Sequence, residues 1–218
     1  MRGLILLDLD ETLVDREAVL RVWADEVATA AGEPSIAEWL IAHDRQDGKV
    51  RQRESFLSGV AGRLGWDTPV EDLLANWPNM FGSRYRLEPA VSEALTHART
   101  LGFRLCVVSN GDAQRQRAKV EAMNLENLVH ACVISGEIGV RKPSRRIFEI
   151  AAQRAGADLT GDVWVIGDDP VADIGGAAQI GAHGLWVNRN GRDWPSELPP
   201  PHATFSQPVA AMEHITAG

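Results

Sequence analysis

The sequence alternates short apolar runs with longer segments of helical periodicity, and this alternation narrows the possible folds more than any other feature. The runs are nearly continuous rather than alternating with polar residues, which is typical of strands that helices cover on both faces. They are Leu4–Leu7, Arg104–Val108, Ala131–Ile134, Val163–Ile166 and Gly184–Val187. Helical segments lie between most of them, at 88–102, 112–123, 144–155 and 172–180. This order predicts an α/β fold, a doubly wound parallel sheet.

The segment between Val14 and about Arg86 has a different pattern. It contains no strand-like run, and its apolar residues recur with helical spacing in four stretches. Two of these begin with a capping box, at Ser35 and at Thr68. We therefore predict a helical bundle, residues 15–86, inserted into an α/β core domain made of residues 1–14 and 87–218.

The charge and hydropathy of the chain restrict its partners and location. Its formal net charge is −8, which disfavours a nucleic acid polymer and an anionic membrane surface. The apolar stretch Gly3–Leu7 is too short for a signal sequence or a membrane span. Cys106 and Cys132 lie in apolar runs, as expected of reduced core residues. We expect a cytoplasmic protein that binds a small molecule, and no pattern predicts its oligomeric state.

Polar residues collect directly after the strand-like runs, where an open parallel sheet binds its ligands. Each of them alone fits a turn, a helix cap or a solvated surface lysine. Together they gather at least three carboxylates with one lysine, which is unfavourable unless a cation lies among them. Donors that are all oxygen favour Mg²⁺ over zinc. The residues are Asp8, Asp10 and Thr12 after the first run, Ser109 and Asn110 after the second, Lys142 after the third, and Asp168, Asp169 and Asp173 after the fourth.

These groups resemble, in order, the four motifs of the haloacid dehalogenase (HAD) superfamily, whose members are mostly phosphohydrolases. The matching segments are Asp8-Leu9-Asp10-Glu11-Thr12, Ser109-Asn110-Gly111, Lys142-Pro143 and Gly167-Asp168-Asp169-Pro170-Val171-Ala172-Asp173. The resemblance spans nearly the whole chain. It implies a Rossmann-like core, and the helical insert resembles the subclass I cap of that family.

The resemblance also implies roles for the two carboxylates of the first motif. Asp8 would be the nucleophile that forms an aspartyl-phosphate, and Asp10 the general acid and base. Mg²⁺ would bind Asp8, the backbone carbonyl of Asp10 and Asp168.

The remaining residues of the motifs would bind phosphate or support the site. Ser109 and Lys142 would hold the phosphoryl oxygens, helped by backbone N–H groups near Asn110. Asp173 would orient Lys142 or a metal-bound water. Thr12 would shape the turn after the first motif, and Asp169 would lie outside the groups that touch metal or phosphate.

The sequence thus predicts a Mg²⁺-dependent phosphatase of a small phosphate ester, with three alternatives. A phosphomutase resembling the β-phosphoglucomutases would use the same residues. Dehalogenation of 2-haloacids needs no metal, and enzymes of that kind lack an acid where this chain has Asp10. A non-catalytic binding module would be favoured by a missing motif residue, and none is missing.

Overall fold

The computed structural model describes residues 2–46 and 53–217. In these residues six parallel strands form one sheet, in the order β3-β2-β1-β4-β5-β6. The strands are Gly3–Leu7 (β1), Phe103–Ser109 (β2), Ala131–Ile134 (β3), Val163–Gly167 (β4), His183–Val187 (β5) and Ala203–Phe205 (β6). The predicted fold class, a doubly wound α/β sheet with an inserted helical bundle, is confirmed.

The helices follow the predicted segments closely. The α-helices α1 to α11 are Arg16–Ala31, Ser35–Gln46, Arg53–Leu64, Val70–Ala75, Trp77–Met80, Pro89–Thr100, Ala113–Ala122, Ser135–Ile138, Arg145–Arg154, Gly176–Ile180 and Pro208–Thr216. Short 3₁₀ turns lie at Gly82–Arg84 and Leu125–Asn127. None of the helices in the described ranges is both long and apolar enough to cross a bilayer.

The structure differs in detail from the predicted elements. The helix expected over 172–180 is a π-helical segment, Pro170–Gly175, followed by α10. The turn is wide because the Asp169 carbonyl accepts hydrogen bonds from the N–H groups of both Asp173 and Ile174. Ala203–Phe205 pairs with β5 and extends the sheet beyond the five predicted strands. Residues 47–52 of the predicted helical bundle lie outside the described residues.

Strand β1 lies in the middle of the sheet and is covered on both faces. Leu4 and Leu6 belong to a core cluster that contains Ile147 and Phe148 of α9. Ile5 and Leu7 point to the opposite face, because side chains alternate along a strand, and both are fully buried. This burial explains the continuous apolar run of the sequence.

The order of the strands opens a crevice beside β1. From β1 the chain continues to β2 and β3 on one side, whereas β4, β5 and β6 lie on the other. The loops that follow β1 and β4 therefore leave in different directions, and ligands of open α/β sheets bind at such a switch point. The Asp8 N–H donates to the Ile166 carbonyl of β4 at 2.9 Å, which fixes the first motif at this position.

The chain divides into two compact units. One contains residues Met1–Asp15 and Arg86–Gly218, and the other contains Arg16–Tyr85. Cys106 and Cys132 are buried free thiols of the first unit. Burial raises the pKa of both, so that a reactive thiolate is unfavourable there.

The second unit, which is helical, is built around aromatic residues and a buried ion network. Trp23 packs against Phe56 and Phe81, with ring centroids 6.4 and 4.7 Å apart. The Asp44 carboxylate accepts two hydrogen bonds from Arg16, at 2.9 and 2.6 Å, and one from Arg53 at 2.8 Å. All three side chains of the network are buried. It joins α1, α2 and α3.

The buried ion network around Asp44 should contribute to the stability of the helical unit. We expect Asp44→Ala to lower the free energy of unfolding by about 3 kcal/mol, because both buried guanidinium groups lose their shared carboxylate. Although burial favours the protonated carboxyl, the two arginines lower its pKa to about 2. The stabilisation is therefore complete above the pKa of the unfolded state, near 4, and is lost as the pH falls through about 2.

Urea unfolding followed by circular dichroism at pH 7 measures this effect. Glu26→Ala is the control, because it removes an exposed ion pair with Arg84 from the same unit. We expect that change to cost less than about 1 kcal/mol. Equal unfolding free energies for the two variants would contradict the prediction.

Candidate active site

Three carboxylates meet beyond the carboxyl ends of β1 and β4. Asp8 directly follows β1, Asp168 directly follows β4, and Asp173 lies in the π-helical segment. Each offers an oxygen, and these oxygens lie within 4.8 Å of one another. Asp8 and Asp173 are buried and Asp168 is half-buried.

Lys142 supplies positive charge to this cluster from the loop between α8 and α9. Its buried ammonium group donates hydrogen bonds to Asp8 Oδ1 and, at 2.7 Å, to Asp173 Oδ1. Burial opposes the charged lysine, but the carboxylates of Asp173 and Asp8 raise its pKa above the ordinary value. One cation thus serves two buried anions.

The negative charge of the cluster is only partly offset. Burial raises the pKa of Asp8; Lys142 lowers it, and the charge of Asp173 raises it again, with a net rise. Burial and then the charges of Asp8 and Asp173 raise the pKa of Asp168, although Arg192 opposes them. A bound cation would relieve this repulsion, and oxygen donors alone suit a hard divalent ion. The residues present therefore fit a divalent metal ion.

Asp173 already uses both of its carboxylate oxygens. Oδ1 accepts from Lys142, and Oδ2 accepts from the Asp169 N–H at 3.0 Å. Asp173 therefore contacts Lys142, and its predicted supporting role stays a prediction, as do the metal contacts of Asp8 and Asp168. The predicted metal contact through the backbone carbonyl of Asp10 stays a prediction.

Two of the predicted phosphate-binding residues, Ser109 and Asn110, lie at the end of β2. Ser109 is the last residue of the strand and is buried. The Asn110 side chain donates to the Lys142 carbonyl at 3.0 Å and accepts from the Lys142 N–H at 2.9 Å. Its amide thereby holds the backbone of Lys142, and a contact of Asn110 with phosphate stays a prediction.

Asp169 and Thr12 have supporting positions. The Asp169 carboxylate accepts from the N–H groups of Val171 at 2.8 Å and Ala172 at 2.9 Å, and so caps the π-helical segment. Thr12 is fully buried, and its hydroxyl has no hydrogen-bond partner among the residues that the structure describes. Glu11, which lies between Asp10 and Thr12, has a φ of 63°, and this left-handed conformation turns the chain there.

Two residues that the sequence analysis did not identify contact Asp10. The Lys119 ammonium group lies 2.6 and 2.7 Å from the two Asp10 carboxylate oxygens. Gln116 Nε2 donates to Asp10 Oδ2 at 2.9 Å and to Ser109 Oγ at 2.6 Å. The sequence contained an indication, because both residues share the face of α7 that carries the buried Val120. Polar residues on a buried helix face near a motif are candidates for a site.

Two arginines of the loop after β5 were also not identified. Arg192 donates to the Asp168 carbonyl at 2.9 Å and to its Oδ2 at 3.2 Å. Arg189 donates to the carbonyls of Glu11 at 3.0 Å and Thr12 at 2.7 Å. They tie the loop after β5 to the loops after β1 and β4.

Comparisons with known proteins bear on the family and the enzyme class of this chain. The family model of haloacid dehalogenase-like hydrolases matches residues 3–181. The phosphoserine phosphatase of Thermus thermophilus is 27% identical over an alignment that covers 90% of this chain and 93% of that protein. The glyceraldehyde 3-phosphate phosphatase of Methanopyrus kandleri is 40% identical over 101 residues, 46% of this chain and 43% of that protein. These relatives support the predicted enzyme class, a phosphoric monoester hydrolase.

A solved structure shows the same fold. The L-2-haloacid dehalogenase of Xanthobacter autotrophicus has a TM-score of 0.74 and 18% identity, and the match covers 99% of each chain. At this identity the likeness establishes the fold alone.

The last residue of β4 gives a test of the acidic cluster. A Cβ at Gly167 would overlap the Asp173 carboxylate, whereas a Cβ at Gly161, just before β4, would meet no atom within 4 Å. We expect Gly167→Ala to lower the free energy of unfolding by about 2 kcal/mol, since overpacking displaces neighbours. We also expect weaker Mg²⁺ binding in calorimetry, because Asp173 and Lys142 shift. Gly161→Ala is the matched control, and identical behaviour of the two variants would contradict the prediction.

Proposed function

Because this chain belongs to the haloacid dehalogenase-like hydrolases, we propose that it is a Mg²⁺-dependent phosphatase that acts on a small phosphate ester through an aspartyl-phosphate on Asp8. The observation that carries the proposal is the contact of Lys142 with Asp8, beside Asp168 and at the end of β1. This arrangement places a carboxylate nucleophile, a cation that can bind the phosphoryl group and oxygen ligands for a metal ion next to one another. Members of this family generally use a divalent metal ion.

The first step forms the covalent intermediate. An Asp8 carboxylate oxygen attacks phosphorus, the bond from phosphorus to the ester oxygen breaks, and Asp10 gives its proton to the departing oxygen. Asp8 and Asp10 are proposed to act together because they lie two residues apart in the segment that directly follows β1. Mg²⁺, held by Asp8, Asp168 and the backbone carbonyl of Asp10, would supply the charge that offsets the repulsion between carboxylate and phosphate.

The second step restores the enzyme. Asp10, now a carboxylate, takes a proton from water as the water oxygen attacks the phosphorus of the intermediate. The bond between phosphorus and the Asp8 oxygen breaks, and inorganic phosphate leaves. The products are the alcohol and phosphate, so one water molecule is consumed in each cycle.

Ser109 and Lys142 hold the phosphoryl oxygens in both steps. Among the described residues, the Lys142 ammonium group donates two of its three N–H groups to Asp8 and Asp173. The third is available for a phosphoryl oxygen. The Ser109 hydroxyl donates another hydrogen bond, and such fixed donors stabilise the charge that develops in the transition state.

The helical unit is proposed to be the cap that selects the substrate. Arg45 and Arg53 are candidates for binding a second anionic group of the substrate. Arg53 is buried against Asp44, however, and Arg45 pairs with Glu17 at 2.6 Å. Lys49 and Arg51, the other candidates, lie outside the described residues.

The net charge of −8 supports a small ester rather than a polymer as the substrate. A cytoplasmic location stays a prediction.

Replacing the nucleophile tests the mechanism. We expect Asp8→Asn to lower kcat by at least about a thousandfold, because an amide cannot form the aspartyl-phosphate. Phosphate release from 4-nitrophenyl phosphate and from a panel of sugar and nucleotide monophosphates measures the effect. Asp158→Asn, an exposed aspartate that caps Thr160, is the control and should match wild type. Turnover by Asp8→Asn at the wild-type rate would overturn the mechanism.

Removing the metal is an independent test. We expect excess EDTA to lower the rate by about a hundredfold or more, and added Mg²⁺ to restore it, since a metal supplies several kcal/mol of transition-state stabilisation. Full activity in EDTA would contradict the metal requirement and favour the metal-free chemistry of haloacid dehalogenases. Phosphate transfer to a sugar phosphate, without release, would instead favour the mutase alternative.

A further inference from the structure

We infer that Lys119 and Gln116 are positioning residues that hold the Asp10 carboxylate in the place from which it protonates the leaving oxygen and deprotonates water. The inference rests on the proposed function, in which Asp10 is the general acid and base. Neither residue belongs to the four motifs of the sequence analysis.

Lys119 fixes the rotation of the Asp10 carboxylate. Its Nζ lies 2.6 Å from Oδ1 and 2.7 Å from Oδ2, so that it faces the fork of the carboxylate rather than one oxygen. The lysine side chain is only 7% exposed, compared with 23% for Asp10. A buried ammonium is costly unless it is paired and hydrogen-bonded, so this contact constrains both partners.

Gln116 links Asp10 to the predicted phosphate-binding residue Ser109. A carboxylate only accepts hydrogen bonds, so it is the NH₂ end of the Gln116 amide that faces Asp10. The same nitrogen donates to Ser109 Oγ at 2.6 Å. Since Ser109 accepts this bond, its own O–H remains to donate to a phosphoryl oxygen. Gln116 therefore orients the acid and base and a phosphate donor together.

The helix that carries both residues is well anchored. Its first turn is capped by Asp112, whose side chain accepts from the Arg115 N–H at 3.0 Å. A Cβ at Gly111, just before the helix, would lie 2.6 Å from Gln116 Cγ, so the glycine leaves the space that the Gln116 side chain fills. Asp10 and α7 belong to the same compact unit.

General acid catalysis by Asp10 depends on the position of its carboxyl group. General acid catalysis requires the acid within hydrogen-bond reach of the leaving oxygen, and a misplacement of about 1 Å can cost about a hundredfold in rate. The loss is largest for a leaving group that needs a proton most. A substitution that acts only through Asp10 should also have no further effect on the rate when Asp10 has been replaced by a residue that cannot donate a proton as an acid.

The test compares Lys119→Met and Gln116→Leu with wild type on two substrates. Phenyl phosphate has a poor leaving group, and 4-nitrophenyl phosphate has a good one. We expect kcat on phenyl phosphate to fall about tenfold to a hundredfold, with a smaller fall in the single-turnover release of 4-nitrophenolate and KM nearly unchanged. Lys119→Arg, which keeps the charge, should recover part of kcat. Gln114→Leu and Arg115→Met on the same helix are the matched controls.

A double-mutant cycle with Asp10→Asn decides whether the residues act through Asp10. In that background Lys119→Met should change the single-turnover release of 4-nitrophenolate by less than about twofold. Gln116→Leu, which also loses its contact with Ser109, should cost less there than in the wild-type background. A loss as large as in the wild-type background would overturn the inference, and so would equal losses on both substrates. Thermal unfolding checks each variant, and if Lys119→Met does not fold, Gln116→Leu provides the same comparison.

The result for the wild-type enzyme separates the two proposals. No phosphate release by the wild type from any ester would overturn the proposed function and, with it, the role of Asp10. Normal release by wild type together with normal kcat for folded Lys119→Met and Gln116→Leu would overturn the positioning role alone.

Discussion

The buried ammonium group of Lys142 is the interaction on which the candidate site depends. It lies between Asp8 and Asp173, and it opposes the effect of burial, which raises the pKa of Asp8. The Asn110 side chain holds the backbone of Lys142 by two hydrogen bonds. Four segments that are far apart in the sequence are thereby fixed around one cation: the ends of β1 and β2, the loop before α9 and the π-helical segment.

The two carboxylates of the first motif have different partners. Asp8 contacts Lys142 and lies beside Asp168, next to β4, whereas Asp10 contacts Lys119 and Gln116 of α7, the helix that follows β2. Two chemically identical groups two residues apart thus have different surroundings. Such a difference allows one carboxylate to act as a nucleophile and the other as an acid and base.

The strand order makes this separation possible. Because β1 lies between β2 and β4, residues that follow it can contact groups from both sides of the switch point. Arg189 and Arg192, from the loop after β5, add hydrogen bonds to the loops after β1 and β4. The site is therefore supported by backbone contacts as well as by its own ion pairs.

The sequence by itself determined the elements and the place of the site. Continuous apolar runs predicted the parallel sheet, and the polar residues after them predicted where Asp8 and Lys142 meet. Only the tertiary structure decided the pairings, since Lys119 is 109 positions from Asp10 in the sequence. The physical reason is that periodicity is a local property of the chain. The partner of a buried charge, in contrast, depends on which distant segments the strand order brings together.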